Sequence, residues 1–155
     1  MTIPPDALAD VTYIPHLAGS TKRDVIQEMV NFLAQKGCLP DPKAALHAVL
    51  ERERRMSTGM QSGVAIPHGK TVSVTRTVVA VALKKEGIDF QSMDGQPARI
   101  FVMTLSPVKE METHIHMLSV LGTLLTRSDV RERLLACSTE EEMKRTLAEA
   151  LAAQQ

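Results

Sequence analysis

Aromatic residues are scarce in this chain of 155 residues, which has one tyrosine, three phenylalanines and no tryptophan. Proteins that bind single-stranded nucleic acid stack the bases on aromatic side chains, so this composition argues against such a surface. An excess of charge is also absent, because 18 basic residues balance 18 acidic ones. The composition therefore gives no indication of binding to DNA, RNA or an anionic membrane.

Cysteine occurs only twice, at Cys38 and Cys137, without the paired spacing of a redox or metal motif. We therefore expect two free thiols in a reducing compartment. The first residues, Met1–Asp6, form neither a basic segment nor a long apolar run, and no apolar run in the chain approaches the length that spans a bilayer. We expect a cytoplasmic protein with one domain over residues 1–155, of which 1–10 form a loose leader.

Helical spacing of apolar residues predicts two helices in the first third of the chain. The first begins at Ser20 or Thr21 and stops at Gly37, and the second begins at Asp41-Pro42, an N-cap followed by proline at the first helical position. Three more helices are predicted to end the chain, at 111–126, 128–136 and 139–152. Ser138 and Glu141 are expected to form a capping box on the last of them.

Strands are predicted between these two groups of helices, with a short one before them. Their predicted ranges are 11–14, 64–66, 77–83, which the charged segment 84–87 is expected to close, and 98–105. This order predicts an α/β fold in which a mixed β-sheet is covered by helices on both faces.

The segment most informative about function is the end of the second strand. Val64–Ile66 leads into Pro67, and His68 and Gly69 follow at once. Proline keeps the preceding residue extended, so the strand should end here and present an imidazole at the rim of the sheet. Histidine is the usual side chain for proton or phosphoryl exchange near neutral pH. The pattern alone also fits a histidine that merely completes a turn.

The residues around this turn resemble the phosphorylation-site signature of the enzyme IIA domains of the fructose/mannitol class. The matching residues are Arg52-Glu53, Thr58-Gly59 and the run from Gly63 to Gly69. That class belongs to the phosphoenolpyruvate-dependent phosphotransferase system and includes nitrogen-regulatory relatives. The resemblance implies a mannitol/fructose-type IIA fold and a phosphotransferase component without a cofactor. It also implies that an HPr-type phosphocarrier is the donor and that a separate enzyme IIB is the acceptor.

The same resemblance implies catalytic roles for three residues. His68 would accept the phosphoryl group and Arg52 would lie near it. His114 matches a second family histidine that opens a helix, here within the run from His114 to Leu118. This chain has Gln61 where the family usually has glycine.

Helical phase distinguishes His114 from its neighbour His116. His114 shares a stripe with Leu118, Leu121 and Leu125 and should face the core, whereas His116 falls on another side of the helix. A histidine on an apolar stripe is often a satisfied core residue. Through the resemblance, His114 would instead supply a partner imidazole to His68.

Ser57, Thr58 and Gly69 are candidates for a phosphate-binding loop, although hydroxyl residues in glycine-rich turns often only cap the backbone. Arg52 is favoured among the charged residues 51–55 because a guanidinium can contact two phosphoryl oxygens at once. Glu51, Arg54 and Arg55 are interpreted as a solvated helix end. Lys70 is expected to add positive potential to a docking face.

Other classes of function find less support in the chain. A metal site built on His68, His114 and His116 would lack any established ligand spacing. The serine elbow of hydrolases and the glycine fingerprints of nucleotide-binding proteins are missing from the sequence. A second hypothesis remains open, namely a regulatory binding module in which phosphorylation of His68 changes the affinity for a target protein.

Overall fold

The computed structural model describes residue 8 and residues 10–109 and 111–154, without the side chains of 111–117. The predicted leader at 1–10 lies largely outside the described residues. The described elements are, in chain order, β1 (Thr12–Ile14), α1 (Lys22–Gln35), α2 (Pro42–Arg55), β2 (Val64–Ala65), β3 (His68–Lys70), β4 (Val78–Ile88), β5 (Ala98–Ser106), α3 (Met111–Leu125), α4 (Ser128–Leu135) and α5 (Glu140–Ala153).

The strands form one mixed sheet in the order β1-β4-β5-β2, and β3 pairs with the same edge of β5 as β2 does. β4 and β5 are antiparallel, while the other pairs are parallel. β2 and β3 follow each other along β5 with only Ile66 and Pro67 between them. The histidine strand β3 therefore lies at an edge of the sheet.

Helices cover both faces of this sheet, as predicted. The first core cluster contains the apolar faces of α1 and α2, with Phe101 and Met103 of β5. The second core cluster contains those of α3, α4 and α5, with Val102 of the same strand. Because successive strand residues point to opposite faces, the continuous apolar run of β5 serves both clusters.

Most of the predicted helix boundaries are confirmed. The Thr21 side chain accepts a hydrogen bond from the backbone N–H of Asp24, and that of Asp41 accepts one from Ala44. Gly37 follows α1 with a φ of 78°, the left-handed conformation that ends helices.

Two predicted boundaries are wrong, and the strand β3 was not predicted: the sequence placed His68 in a turn after the second strand, whereas His68 begins β3 and pairs with Thr104. The cap of α5 is Thr139 with Glu142, one residue beyond the predicted Ser138 and Glu141. β4 continues to Ile88 rather than ending at Leu83. Its pairing with β5 shifts register between Leu83 and Ile88, and Gly87 has a φ of 78°. The charged residues Lys84, Lys85 and Glu86 in this part of the strand are half-buried or exposed, and Ile88 then returns to the first core cluster.

Gly69 lies where β3 comes closest to α2. A Cβ atom there would be 3.0 Å from the carbonyl carbon of Ala48 and 3.0 Å from the backbone nitrogen of Val49. Backbone atoms of a helix cannot turn aside as a side chain can, so glycine is what lets the strand lie against the helix. The strand that carries His68 and the helix that carries Arg52 are therefore direct neighbours.

We expect Gly69→Ala to lower the free energy of unfolding by about 1–3 kcal/mol, because its Cβ must push β3 away from α2. Gly122→Ala is a matched control, since a Cβ there meets nothing within 4 Å. Alanine inside α3 should raise stability by about 0.5–1 kcal/mol. Urea unfolding measures both variants. Wild-type stability in Gly69→Ala would contradict the close packing of β3 on α2.

Candidate functional site

His68 is the first residue of β3 and is half-buried. Its Nδ1 atom lies 2.9 Å from the carbonyl oxygen of Ile66. A carbonyl oxygen only accepts hydrogen bonds, so in the neutral ring Nδ1 carries the proton and Nε2 carries the lone pair. The backbone two residues upstream thus selects the tautomer whose nucleophilic nitrogen is Nε2.

An open groove of about 770 Å³ runs between α2 and β3. One face of α2 forms one wall, and β3 with the residues that follow it forms the other. The lining residues are Ala44, His47, Ala48, Glu51, Arg52, Arg55, His68, Gly69, Lys70, Thr71, Val72 and Val108. The groove therefore brings together three of the predicted site residues: His68, Arg52 and Gly69.

Positive charge prevails in this lining. Among the described lining residues, Arg52, Arg55 and Lys70 are three cations and Glu51 is the one carboxylate. Glu51 accepts a hydrogen bond of 2.9 Å from Arg54, whose bond and charge lower the pKa of that carboxyl. Glu51 is thus an ion-paired carboxylate, and the described part of the lining has more cations than carboxylates, which suits a phosphoryl group.

The guanidinium of Arg52 also holds the end of its own helix. Its Nη1 donates a hydrogen bond of 2.9 Å to the carbonyl oxygen of Met56, the C-cap residue of α2. Cations near a helix C-terminus are stabilised by the carbonyl groups left without partners there. A guanidinium has five N–H donors, so this bond leaves it others with which to contact an anion in the groove.

Glu53 is a buried carboxylate that the sequence analysis did not single out. Its side chain is 4% exposed and accepts a bond of 2.8 Å from Lys22 Nζ at the start of α1. Thr58 adds bonds of 2.9 Å from its backbone N–H and 2.5 Å from its hydroxyl. Glu53 therefore ties the end of α2 to α1 and to the segment that leads into β2. The burial of Glu53 could have been predicted from the sequence, because it follows Val49 by four residues and so falls on the buried stripe of α2.

Ser57 and Thr58 do not line the groove. The Ser57 hydroxyl donates to the carbonyl oxygen of Phe90 at 2.6 Å and accepts from the backbone N–H of Gly59 at 3.0 Å. The Thr58 hydroxyl donates its proton to Glu53. Each hydroxyl has one proton, and both of these protons are already donated to other groups of the protein. The role of these two residues as phosphate donors stays a prediction, one that these contacts do not support.

Gln61 opens a tight turn in which the next two residues have positive φ. Ser62 has a φ of 63° and Gly63 of 77°, and the backbone N–H of Val64 donates to the carbonyl oxygen of Gln61 at 3.3 Å. Two central residues of positive φ define a type I′ turn, in which the first residue keeps ordinary backbone geometry. Glutamine at position 61 is therefore accommodated without backbone strain.

The carboxylate of Asp94 holds the strained residue of this turn. Asp94 Oδ2 accepts from the backbone N–H of Ser62 and Oδ1 from that of Gln96, both at 3.0 Å. These two backbone donors lower the pKa of Asp94, with the bond from Gln96 contributing most. The turn that leads into β2 is thus anchored to the loop before β5.

The predicted partner imidazole belongs to α3. His114 and His116 lie within the helix Met111–Leu125, but their side chains are outside the described residues. The stripe assigned to His114 is confirmed further along, where Leu121 and Leu125 are buried in the second core cluster. The pairing of His114 with His68 stays a prediction.

Three other findings concern metal binding, membrane spanning and the cysteines. In the described ranges, no group of three or more histidine, cysteine or acidic residues could hold a metal ion. No described helix is long and apolar enough to cross a membrane. Cys38 and Cys137 are both free thiols, as predicted.

This architecture, a mixed sheet between two helical layers, is that of the mannitol-type enzyme IIA domains. The family model for "Phosphoenolpyruvate-dependent sugar phosphotransferase system, EIIA 2" matches residues 9–150. The chain belongs to this family of phosphotransferase components.

Curated relatives include both transport and regulatory proteins. The chain is 40% identical over 130 residues to the fructose-specific EIIA component of Haloferax volcanii, covering 84% of each chain. It is 35% identical over 117 residues to the nitrogen regulatory protein of Escherichia coli, covering 75% of this chain and 72% of that protein. It also matches the fructose-specific EIIABC component of Bacillus subtilis at 40% identity, but spans only 20% of that protein's length.

Solved structures of the same family superpose closely. The nitrogen regulatory protein IIA-Ntr from Neisseria meningitidis aligns with a TM-score of 0.79 and 26% identity, over 90% of this chain and 94% of that one. Enzyme IIA of the mannitol system from Escherichia coli, in its complex with phosphorylated enzyme IIB, aligns with a TM-score of 0.75 and 25% identity, over 89% and 94% of the chains.

Removing the charge of Glu53 should destabilise the protein. We expect Glu53→Gln to lower the free energy of unfolding by about 1–3 kcal/mol, because Lys22 and Thr58 would lose bonds to a buried carboxylate. Glu51→Gln, on the exposed side of the same helix turn, should change it by less than about 0.5 kcal/mol. Chemical denaturation of both variants measures the difference. Equal free energies of unfolding for the two variants would mean that the buried contacts of Glu53 do not stabilise the fold.

Proposed function

We propose that this chain acts as an IIA-type phosphocarrier domain in the cytoplasm. His68 accepts a phosphoryl group from an HPr-type phosphocarrier and passes it to a cysteine of an enzyme IIB. The observation that carries the proposal is the hydrogen bond from His68 Nδ1 to Ile66, in a groove that also contains Arg52 and Lys70. It makes Nε2 the nucleophile where cations can receive the phosphoryl oxygens.

The transfer needs no proton movement on His68. The Nε2 lone pair attacks phosphorus while the bond from phosphorus to the donor histidine breaks, and the donor ring keeps that electron pair. His68 then carries a positive charge, and its Nδ1–H donates a stronger, charge-assisted bond to the Ile66 carbonyl. When a thiolate attacks, the P–N bond breaks and the ring returns to the same neutral tautomer. The Ile66 carbonyl thus stabilises the charged intermediate without a separate base.

Arg52 supplies the electrostatic part of the mechanism. Phosphoryl transfer spreads negative charge over three equatorial oxygens, and catalysis consists mainly of positioning and charge stabilisation. The guanidinium lines the same groove as His68 and sits on a helix fixed against β3 by Gly69. His114 is proposed to add a second imidazole that bonds the His68 ring or the phosphoryl group.

Incubation with phosphoenolpyruvate, enzyme I and HPr tests the assignment of the phosphorylated residue. We expect the wild-type protein to gain one acid-labile phosphate and His68→Ala to gain none, with an unchanged circular dichroism spectrum. His47→Ala is a matched control, since His47 lines the same groove from α2. An acid-labile phosphate on His68→Ala would refute the assignment.

Arg52→Lys should slow the transfer at least about tenfold although the charge is kept, because an ammonium cannot reproduce the planar fork of a guanidinium. Arg54→Lys serves as the comparison, since Arg54 pairs with Glu51 on the exposed side of α2. Rapid-quench kinetics with phospho-HPr measures both rates. Similar rates for the two variants would remove Arg52 from the phosphoryl site.

A regulatory output is the second candidate, favoured by the 35% identity to a nitrogen regulatory protein. Phosphate on His68 would add about −1.5 to −2 charges to a groove rich in cations and so change its affinity for a target protein. Transfer of labelled phosphate from the protein to a purified fructose-type IIB supports the carrier role. A stable phospho-form that IIB does not discharge supports the regulatory role.

A further inference from the structure

Two buried hydroxyl groups lie on β5 next to the histidine strand. Thr104 is the residue that pairs with His68 across the β3–β5 ladder, and Ser106 pairs with Lys70. Both residues are 0% exposed. Within the part of the chain that the structure describes, neither hydroxyl oxygen has a hydrogen-bond partner. Buried polar atoms are almost always paired, so two such neighbours beside a reactive histidine call for an explanation.

These hydroxyls face the layer formed by α3, α4 and α5. Val102 packs into the second core cluster and Met103 into the first, on opposite faces of β5. Because side chains alternate along a strand, Thr104 and Ser106 share the face of Val102. They therefore point away from α1 and α2.

The side chain of His68 leaves β3 on this same face. A Cβ at Gly69 would point at Ala48 of α2, in the layer of the first core cluster. Alternation then directs His68 and Lys70 to the opposite face, beside Thr104 and Ser106. Parallel neighbours in a sheet are about 5 Å apart, so each hydroxyl lies next to the base of one of these side chains.

A third hydroxyl extends the group. Thr77 directly precedes β4, and its buried hydroxyl oxygen also lacks a partner among the described residues. Val79 pairs with Thr104, so Thr77, two residues before it, lies on the same face near Ser106. We refer to Thr77, Thr104 and Ser106 as the hydroxyl row.

We propose that the hydroxyl row is an inner subsite for the phosphoryl group on His68, with the Thr104 hydroxyl donating to a phosphoryl oxygen. This inference rests on the proposed function of His68. Arg52 approaches the groove from the side of α2, whereas the hydroxyl row lies on the opposite face of the sheet. A phosphoryl group on Nε2 of His68 would thus accept hydrogen bonds from donors on both faces of β3.

The energetics favour the phosphorylated state. Without phosphate, the buried hydroxyls have no acceptor among the described residues, which costs free energy. The phosphoryl oxygens provide one, and bonds to a charged acceptor are stronger than neutral ones. A hydrogen bond that begins to form as the phosphoryl group arrives stabilises the transition state and the phosphorylated product relative to the starting state, and so speeds the transfer.

Thr104→Val removes this hydroxyl and keeps the side-chain shape, whereas Thr104→Ser keeps the hydroxyl. We expect Thr104→Val to accept phosphate from phospho-HPr about tenfold more slowly or worse, and Thr104→Ser to stay close to the wild-type rate. The stability of Thr104→Val should be equal or higher, because it loses an unpartnered buried polar group. Should Thr104→Val fail to fold, Thr104→Ala carries the same measurement.

Ser92→Ala is the matched control. Ser92 also has a buried hydroxyl oxygen without a partner among the described residues, but it lies against Gly59 and, unlike Thr104, does not pair with the strand that carries His68. Its loss should leave the transfer rate unchanged. A slowed Ser92→Ala would show that buried hydroxyls affect transfer through stability alone and would overturn the subsite.

Phosphorus NMR of the phosphorylated protein measures the pH titration of the phosphoryl group. A purely structural role of Thr104 would leave this titration unchanged. A hydroxyl that donates to the phosphoryl group favours its dianion, so the phosphate titration in Thr104→Val should shift to higher pH than in the wild type. If wild-type protein is phosphorylated on His68 but Thr104→Val shows the same rate and titration, the subsite is wrong and the proposed function stands. If the wild type takes up no phosphate on His68, both fail.

Discussion

β5 is the element on which the rest of the structure depends, because it pairs with β4 along one side and with both β2 and β3 along the other. Its residues supply both core clusters, so its position fixes the two helical layers relative to the sheet. The same pairing sets the register of β3, whose three residues could not hold their own position. The orientation of His68 is therefore decided by a strand that contributes little to the lining of the groove.

A second constraint fixes the position of Arg52 at the end of α2. Arg52 lies on the last turns of α2, a part of a helix that tends to fray because its carbonyl groups lack partners. The neighbouring Glu53 prevents this by joining that turn to Lys22 and Thr58. Arg52 thus faces the groove, while the adjacent Glu53 faces inward and fixes the position of Arg52.

The sequence predicted the fold well because its signals are local. The caps at Thr21 and Asp41 and the apolar runs of the strands leave few alternatives. The errors occur where non-local contacts decide: the charged end of β4 pairs with β5 although its residues resemble a turn. The candidate site shows the same contrast between local and non-local features. Arg52 and His68 could be picked out from a local motif. The contact of Glu53 with α1 depends on helix packing, and the position of the Thr104 hydroxyl beside His68 depends on strand register, so neither could be predicted from a local pattern.

The location of His68 on an edge strand carries a risk of its own. Any exposed sheet edge offers unpaired backbone groups to which an extended chain can add, the usual beginning of aggregation. Here the edge is divided into two strands of two and three residues, and between them stands Pro67, which has no N–H to donate. Beside it, α2 lies against Gly69 and covers that face of the strand. The interrupted edge thus offers an extended chain no continuous row of backbone groups, although the side chain of His68 at this edge lines an open groove.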